Sequence, residues 1–195
     1  MEVGHSNDFI SFGSRQSLFK ETMETLRDEN VTTIGIWGMA GIGKTTLATE
    51  VGKRAKDERL SDQVVKAVAS QDPNTRIIQG TLADLLTLQL KGASEADRAT
   101  ELSARIKKSG RILIILDDVW NKLNLADIGI PSGLDHKGCK IVITTRLAKV
   151  CDDMCCQRKF TLNVLDDNEA WVLFSKHARL PQNSELRGKA REVVK

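Results

Sequence analysis

Val31-Thr32-Thr33-Ile34-Gly35-Ile36-Trp37 runs straight into Gly38-Met39-Ala40-Gly41-Ile42-Gly43-Lys44-Thr45, and that junction decides the fold. The first seven residues are mostly apolar and β-branched, as a buried strand of a parallel sheet requires. The next eight match G-x-x-x-x-G-K-[ST] in full. Beyond them Leu47, Val51 and Ala55 recur at helical spacing, which predicts a helix from Lys44 to about Arg59. Strand, glycine loop and helix in that order form a cradle for polyphosphate. Gly41 and Gly43 let the backbone curl until its N–H groups ring a dense anion. The helix start turns more N–H groups, and its positive dipole end, toward the same charge. Lys44 adds a full positive charge for the β- and γ-phosphates, and the Thr45 hydroxyl is suited to ligate Mg²⁺.

Such a loop needs an acid at the end of a neighbouring strand to hold the metal, usually through water. Ile112-Leu113-Ile114-Ile115-Leu116-Asp117-Asp118 supplies an apolar run ending in two carboxylates. Asp117 is the expected metal-side ligand, and Asp118 is placed to orient or deprotonate an attacking water. A third buried run, Ile141-Val142-Ile143-Thr144-Thr145, ends in Arg146, at the strand end where α/β sheets bind ligands. A guanidinium there can read the γ-phosphate and so separate ATP from ADP.

The remaining pattern alternates short strands with helices, so the expected fold is α/β with three layers around a central, mainly parallel sheet. Val64 to Ala69 reads as a strand, and Asp72-Pro73-Asn74 as a turn. Asn74 or Thr75 caps a predicted helix reaching Leu88 or Leu90, and Ser94 opens another that ends near Ser109-Gly110. Arg111 to Asp117, Lys140 to Thr145 and Lys159 to Asn163 complete the strands. Asp166-x-x-Glu169 resembles a capping box opening a last helix with Ala170, Leu173 and Phe174 as its apolar face. The expected organisation is a linker and pre-loop segment over 1–30, a nucleotide-binding domain over 31–165, and the start of a helical subdomain over 166–195. The chain stops inside a charged stretch of helical character, Glu185 to Lys195, as an interrupted fragment would.

Composition sets limits. The 195 residues are 41% hydrophobic and 28% charged, which predicts a folded core. Net charge is +3, with 29 basic against 26 acidic residues, giving no reason to expect nucleic acid or an anionic membrane as partner. The apolar run Ile112 to Leu116 is far short of the roughly 20 residues that span a bilayer, and the N-terminus lacks a secretory pattern. A soluble intracellular protein with reduced cysteines is expected. Trp37, Trp120 and Trp171 read as core residues, and His5, His136 and His177 as surface or structural ones.

Other phosphate-binding classes fit less well. Asn121-Lys122-Leu123-Asn124 lacks the final Asp of a guanine reader, and no buried strand precedes Asp135-His136-Lys137-Gly138, which argue against a GTPase. A small-molecule kinase or an AAA+ type motor would turn over quickly, whereas a switch hydrolyses slowly. Intact Lys44, Thr45, Asp117 and Asp118 argue against an interaction module with a dead site.

The chain resembles the NB-ARC domain of plant nucleotide-binding leucine-rich-repeat disease resistance proteins, from about Phe9 to the C-terminus. Phe12-Gly13-Ser14-Arg15 is similar to the segment that packs near the adenine, and Gly35 to Leu47 to the extended phosphate loop. Leu116-Asp117-Asp118-Val119-Trp120 resembles the second acidic motif, its tryptophan typical of the coiled-coil rather than the TIR class. Gly138 to Arg146 resembles the sensor strand. Leu162-Asn163-Val164-Leu165 with Glu169 to Phe174 resembles the entry to the first helical (ARC1-type) subdomain. The resemblance implies a cytoplasmic switch, held off by ADP and turned on by ATP with Mg²⁺, and at most a slow ATPase. Its partners would be the other domains of the same chain and further copies on activation. It implies nucleotide contacts from Gly38, Gly41, Ile42, Gly43, Lys44, Thr45, Thr46, Arg146 and Arg15, metal ligation by Thr45 and Asp117, and hydrolysis assisted by Asp118 and Lys44. Ala40 stands where glycine is common, a mild change if its backbone angles are ordinary. The family's later G-L-P-L and M-H-D segments lie beyond the last residue, so weakened nucleotide affinity and no autonomous signalling are expected of this stretch.

Overall fold

The computed structural model describes residues 13–131 and 136–178. The expected helical stretch 185–195, together with His5, Phe12 and Asp135, lies outside them. Five strands form one sheet: β1 (Thr33–Trp37), β2 (Gln63–Val68), β3 (Ile112–Val119), β4 (Cys139–Thr145) and β5 (Arg158–Thr161). Their spatial order is β2-β3-β4-β1-β5, and every pairing is parallel.

The continuous apolar sequence of β3 has a simple cause, because helices cover both faces of the sheet. Ile112, Ile114 and Leu116 pack into one core with α3 (Thr75–Leu85), α4 (Glu95–Lys107), α5 (Leu125–Ile128) and α6 (Ala148–Asp153). Leu113 and Ile115, one residue out of phase, face a second core with α1 (Gly13–Arg27) and α2 (Lys44–Asp57). The three-layer α/β fold is therefore as the pattern predicts. Its strands all point the same way, so the carboxyl ends of β1, β3 and β4 share one edge of the sheet. That edge carries the glycine loop, Asp117, Asp118 and Arg146.

Several elements differ from the sequence reading. The strand next to β1 is β4, not the acid-bearing β3, so the carboxylates arrive from two strands away. Strand β3 also runs past Asp117 to Val119, through a break in register between Leu116 and Val119 where both acids sit. Helix α1 was not anticipated; only Met23 and Leu26 of its apolar residues are fully buried, too thin a stripe to stand out. Helices α2 and α3 end short of the expected Arg59 and Leu88, because Arg59 and Thr87 turn to φ 57° and φ 54°. Helix α4 stops at Lys107, and β5 spans Arg158–Thr161 rather than Lys159 to Asn163.

The caps read from sequence are present. Asn74 accepts from the Ile77 N–H, and Ser94 with Asp97 forms a reciprocal box. Asp166 with Glu169 does the same at α7 (Asp167–His177). The four cysteines are free thiols, and burial pushes Cys139 up to about 12. No helix among the described residues is long and apolar enough to cross a membrane.

Candidate phosphate-binding site

The glycine loop owes its course to backbone angles that side chains resist. Gly41 and Gly43 sit at φ 74° and φ 95°, in left-handed conformations. Ala40 is not among the positive-φ residues, so alanine there meets no backbone penalty. Gly43 is the N-cap of α2, and no side chain caps that helix start. Its first-turn N–H groups are thereby left to an external acceptor.

Lys44 is nearly buried, at 7% exposure, and turns back over the loop. Its Nζ donates to the Gly38 carbonyl at 2.9 Å and the Met39 carbonyl at 2.6 Å. Burial lowers its pKa, and the nearby charge of Arg146 adds to that; Asp118 and Asp117 oppose both. Two cations beside one another, steadied by two carboxylates, make a place suited to a polyanion.

Asp117, 6% exposed, accepts from the Thr45 hydroxyl at 2.8 and 3.0 Å on its two oxygens. The Thr144 hydroxyl donates to Asp117 Oδ1 at 2.5 Å and accepts from the Asp118 N–H at 3.0 Å. Thr144 belongs to β4, the strand between β1 and β3, and so braces both acids. Asp118 itself adopts φ 52° within the register break, and it lines the same cleft as Asp117. The Trp120 indole N–H donates to Asp118 Oδ2 at 3.0 Å. Arg146 Nε reaches Asp118 Oδ1 at 3.4 Å, and its Cζ lies 4.5 Å from the Trp120 ring centroid.

Together these groups border a cleft of about 470 Å³, lined by Gly41, Gly43, Lys44, Thr45, Thr46, Asp117, Asp118, Thr144 and Arg146 among others. Three of the expected contact residues do not line it. Gly38 lies beneath the loop, and Ile42 packs its Cδ1 toward Gly38. Arg15, 8% exposed, braces the loop from behind, its Nη2 donating to the Ile42 carbonyl at 3.0 Å. Burial lowers the Arg15 pKa, with Glu169 pulling the other way. Glu169 in turn accepts from the Ser14 hydroxyl at 2.9 and 2.8 Å, tying α7 to the start of α1.

Sequence reasoning missed Thr144 and misread Trp120. None of Trp37, Trp120 and Trp171 is fully buried, so the core assignment for these residues is corrected. Thr144→Val is expected to cost about 1–2 kcal/mol, since it takes the acceptor from the half-buried Asp118 N–H and removes a donor from the buried Asp117. Urea unfolding checks this; an unchanged midpoint would show that the hydroxyl bridge is dispensable.

The fold and this edge of the sheet define a P-loop NTPase. The chain belongs to the NB-ARC domain family, whose model matches residues 15–184. It is 32% identical over 164 residues to the disease resistance protein UNI of Arabidopsis thaliana, covering 82% of this chain and 18% of that protein. It is 30% identical to the disease resistance protein SUMM2 of the same plant, covering 82% and 18%. The chain thus spans about a fifth of the length of these relatives. Among solved structures it is similar to Cdc6p from Pyrobaculum aerophilum, with TM-score 0.67 and 14% identity over 90% of this chain and 52% of that one. That likeness is one of fold. Membership of the family implies nucleotide binding.

Proposed function

We propose that the chain is the ATP/ADP-binding switch of a cytoplasmic plant immune receptor, off with ADP, on with ATP, and slow to hydrolyse. The observation that carries this reading is the cleft itself, where Lys44, Thr45, Asp117, Asp118 and Arg146 converge beside an uncapped helix start. The relatives' description as disease resistance proteins supports the immune role. Domains beyond this stretch and further copies would be the partners through which a change of nucleotide is read out.

Each residue has a task that its position supports. Lys44 exchanges two loop carbonyls for phosphate oxygens, a charge-assisted gain over neutral acceptors. Gly41, Gly43 and Thr46 present backbone N–H groups around the same anion. The hard oxygens of Thr45 and Asp117, already in contact, suit Mg²⁺ and would hold it. When bound, that ion neutralises charge on the phosphate oxygens. Asp118 orients the attacking water, and Arg146 senses the terminal phosphate. Gly38, Ile42 and Arg15 keep the loop in shape from below and behind.

Calorimetric titration with ADP, ATP and GTP in the presence of Mg²⁺ tests the reading. Adenine nucleotides should bind and GTP should bind less well, with hydrolysis below about 1 s⁻¹, the low edge of ordinary turnover. Fast hydrolysis would favour a motor or kinase, and a folded protein that binds none of the three would refute the site.

A further inference from the structure

The contacts of Arg146 single out a residue that the nucleotide reading does not use. Its guanidinium is held in two ways, by Nε against Asp118 Oδ1 at 3.4 Å and by its face over the Trp120 ring at 4.5 Å. Among the described residues neither Nη atom has a hydrogen-bond partner in the protein. The residue lines the cleft while being 41% exposed in its side chain. An exposed arginine ordinarily samples many rotamers, and fixing it on binding costs side-chain entropy. An aromatic face beneath the guanidinium removes part of that cost in advance.

We infer that Trp120 is the positioning residue of the terminal-phosphate sensor. It presents the free Nη edge of Arg146 to the cleft and fixes the Asp118 carboxylate beside it. Its two contacts act separately. The ring face supports Arg146, while the indole N–H holds Asp118 Oδ2 at 3.0 Å. Asp118 therefore has one oxygen engaged by the indole and the other shared with Arg146. When Arg146 turns its charge toward a terminal phosphate, Oδ1 is the oxygen released toward water, because the indole retains Oδ2. Preference for ATP over ADP, and the readiness of Asp118, are thus both tied to one side chain. The inference rests on the nucleotide reading above.

The test compares Mg²⁺ complexes of ADP and a non-hydrolysable ATP analogue by calorimetry on the 195-residue chain, alongside Lys44→Ala. Trp120→Leu removes both contacts and should weaken the analogue about 5- to 30-fold while leaving ADP within about twofold. Trp120→Phe keeps the ring face but not the N–H. It should retain the analogue's affinity and lower single-turnover hydrolysis of ATP. Arg146→Ala should reproduce the Trp120→Leu loss, and the double variant should lose no more than either alone. Arg146→Lys keeps the charge without the planar fork and should resemble Arg146→Ala, which serves should Trp120→Leu fold poorly. Equal weakening of both ligands by Trp120→Leu, or additive losses in the double variant, would overturn the inference. Undiminished binding by Lys44→Ala would instead overturn the nucleotide reading beneath it.

Discussion

Replacing Lys44 by Ala is expected to weaken ADP and ATP by about 100-fold or more while shifting the melting temperature by only a few degrees. The size follows from what the ammonium does in each state. Hydrogen bonds to charged groups are worth about 1.5–3 kcal/mol each, and Lys44 has two donors committed to this cleft. With polyphosphate present those donors meet anionic oxygens rather than neutral carbonyls, so their loss falls on binding. The folded protein loses less. The bond to the Met39 carbonyl is only part-buried, so water can replace the ammonium there, and repulsion from Arg146 disappears. Lys44→Met keeps most of the aliphatic stem and should show the same loss of affinity, which separates charge from packing. Calorimetry with parallel thermal melts decides the matter. Wild-type affinity in both variants would mean that nucleotide is held elsewhere, and an unfolded variant would mean that Lys44 is chiefly structural.

How far the site was legible depends on whether its cause is local. The glycine loop was fully readable, since strand, left-handed glycines and helix start are consecutive in sequence. The helix caps at Asn74, Ser94 and Asp166 were readable for the same reason. The apolar run of β3 identified a strand with both faces covered. What the run could not reveal was its place in the sheet, since insertion of β4 between β1 and β3 is a long-range pairing. That insertion explains why Thr144, unremarkable in sequence, becomes the hydroxyl that braces both acids. The geometry of Asp118 was hidden in a comparable way. Its φ of 52° and the register break around it arise from pairing with β4, and they aim its carboxylate at Trp120 and Arg146. Arg15 was expected beside the nucleotide; that its Nη2 donates to the Ile42 carbonyl was not legible, because the contact depends on where α1 packs.

Gly38→Ala should be the most damaging single methyl in this protein's loop, costing about 2–4 kcal/mol and lowering the melting temperature by about 5–15 °C. Two independent penalties coincide there. The backbone sits at φ 153°, a conformation that L side chains rarely adopt. A Cβ would also lie 2.4 Å from the Leu162 carbonyl oxygen and 2.6 Å from Ile42 Cδ1. The Ile42 tip can rotate away, but the Leu162 oxygen is backbone and follows directly from β5, which is paired to β1. The Leu162 N–H donates to the Trp37 carbonyl at 2.8 Å, so that segment cannot retreat without breaking a bond beside the loop. The loop must move instead. The Gly38 carbonyl is one of the two acceptors that hold Lys44, so its displacement carries the ammonium with it. Stability and nucleotide affinity should therefore fall together in Gly38→Ala, whereas Lys44→Ala loses affinity alone. Gly41 offers the control, because a Cβ there meets nothing within 4 Å and only its φ of 74° opposes substitution. Gly41→Ala should accordingly cost about 1–2 kcal/mol. Urea unfolding of the two variants separates contact from conformation. Equal losses would mean that dihedral strain alone sets the price of a side chain here and that the Leu162 segment yields freely.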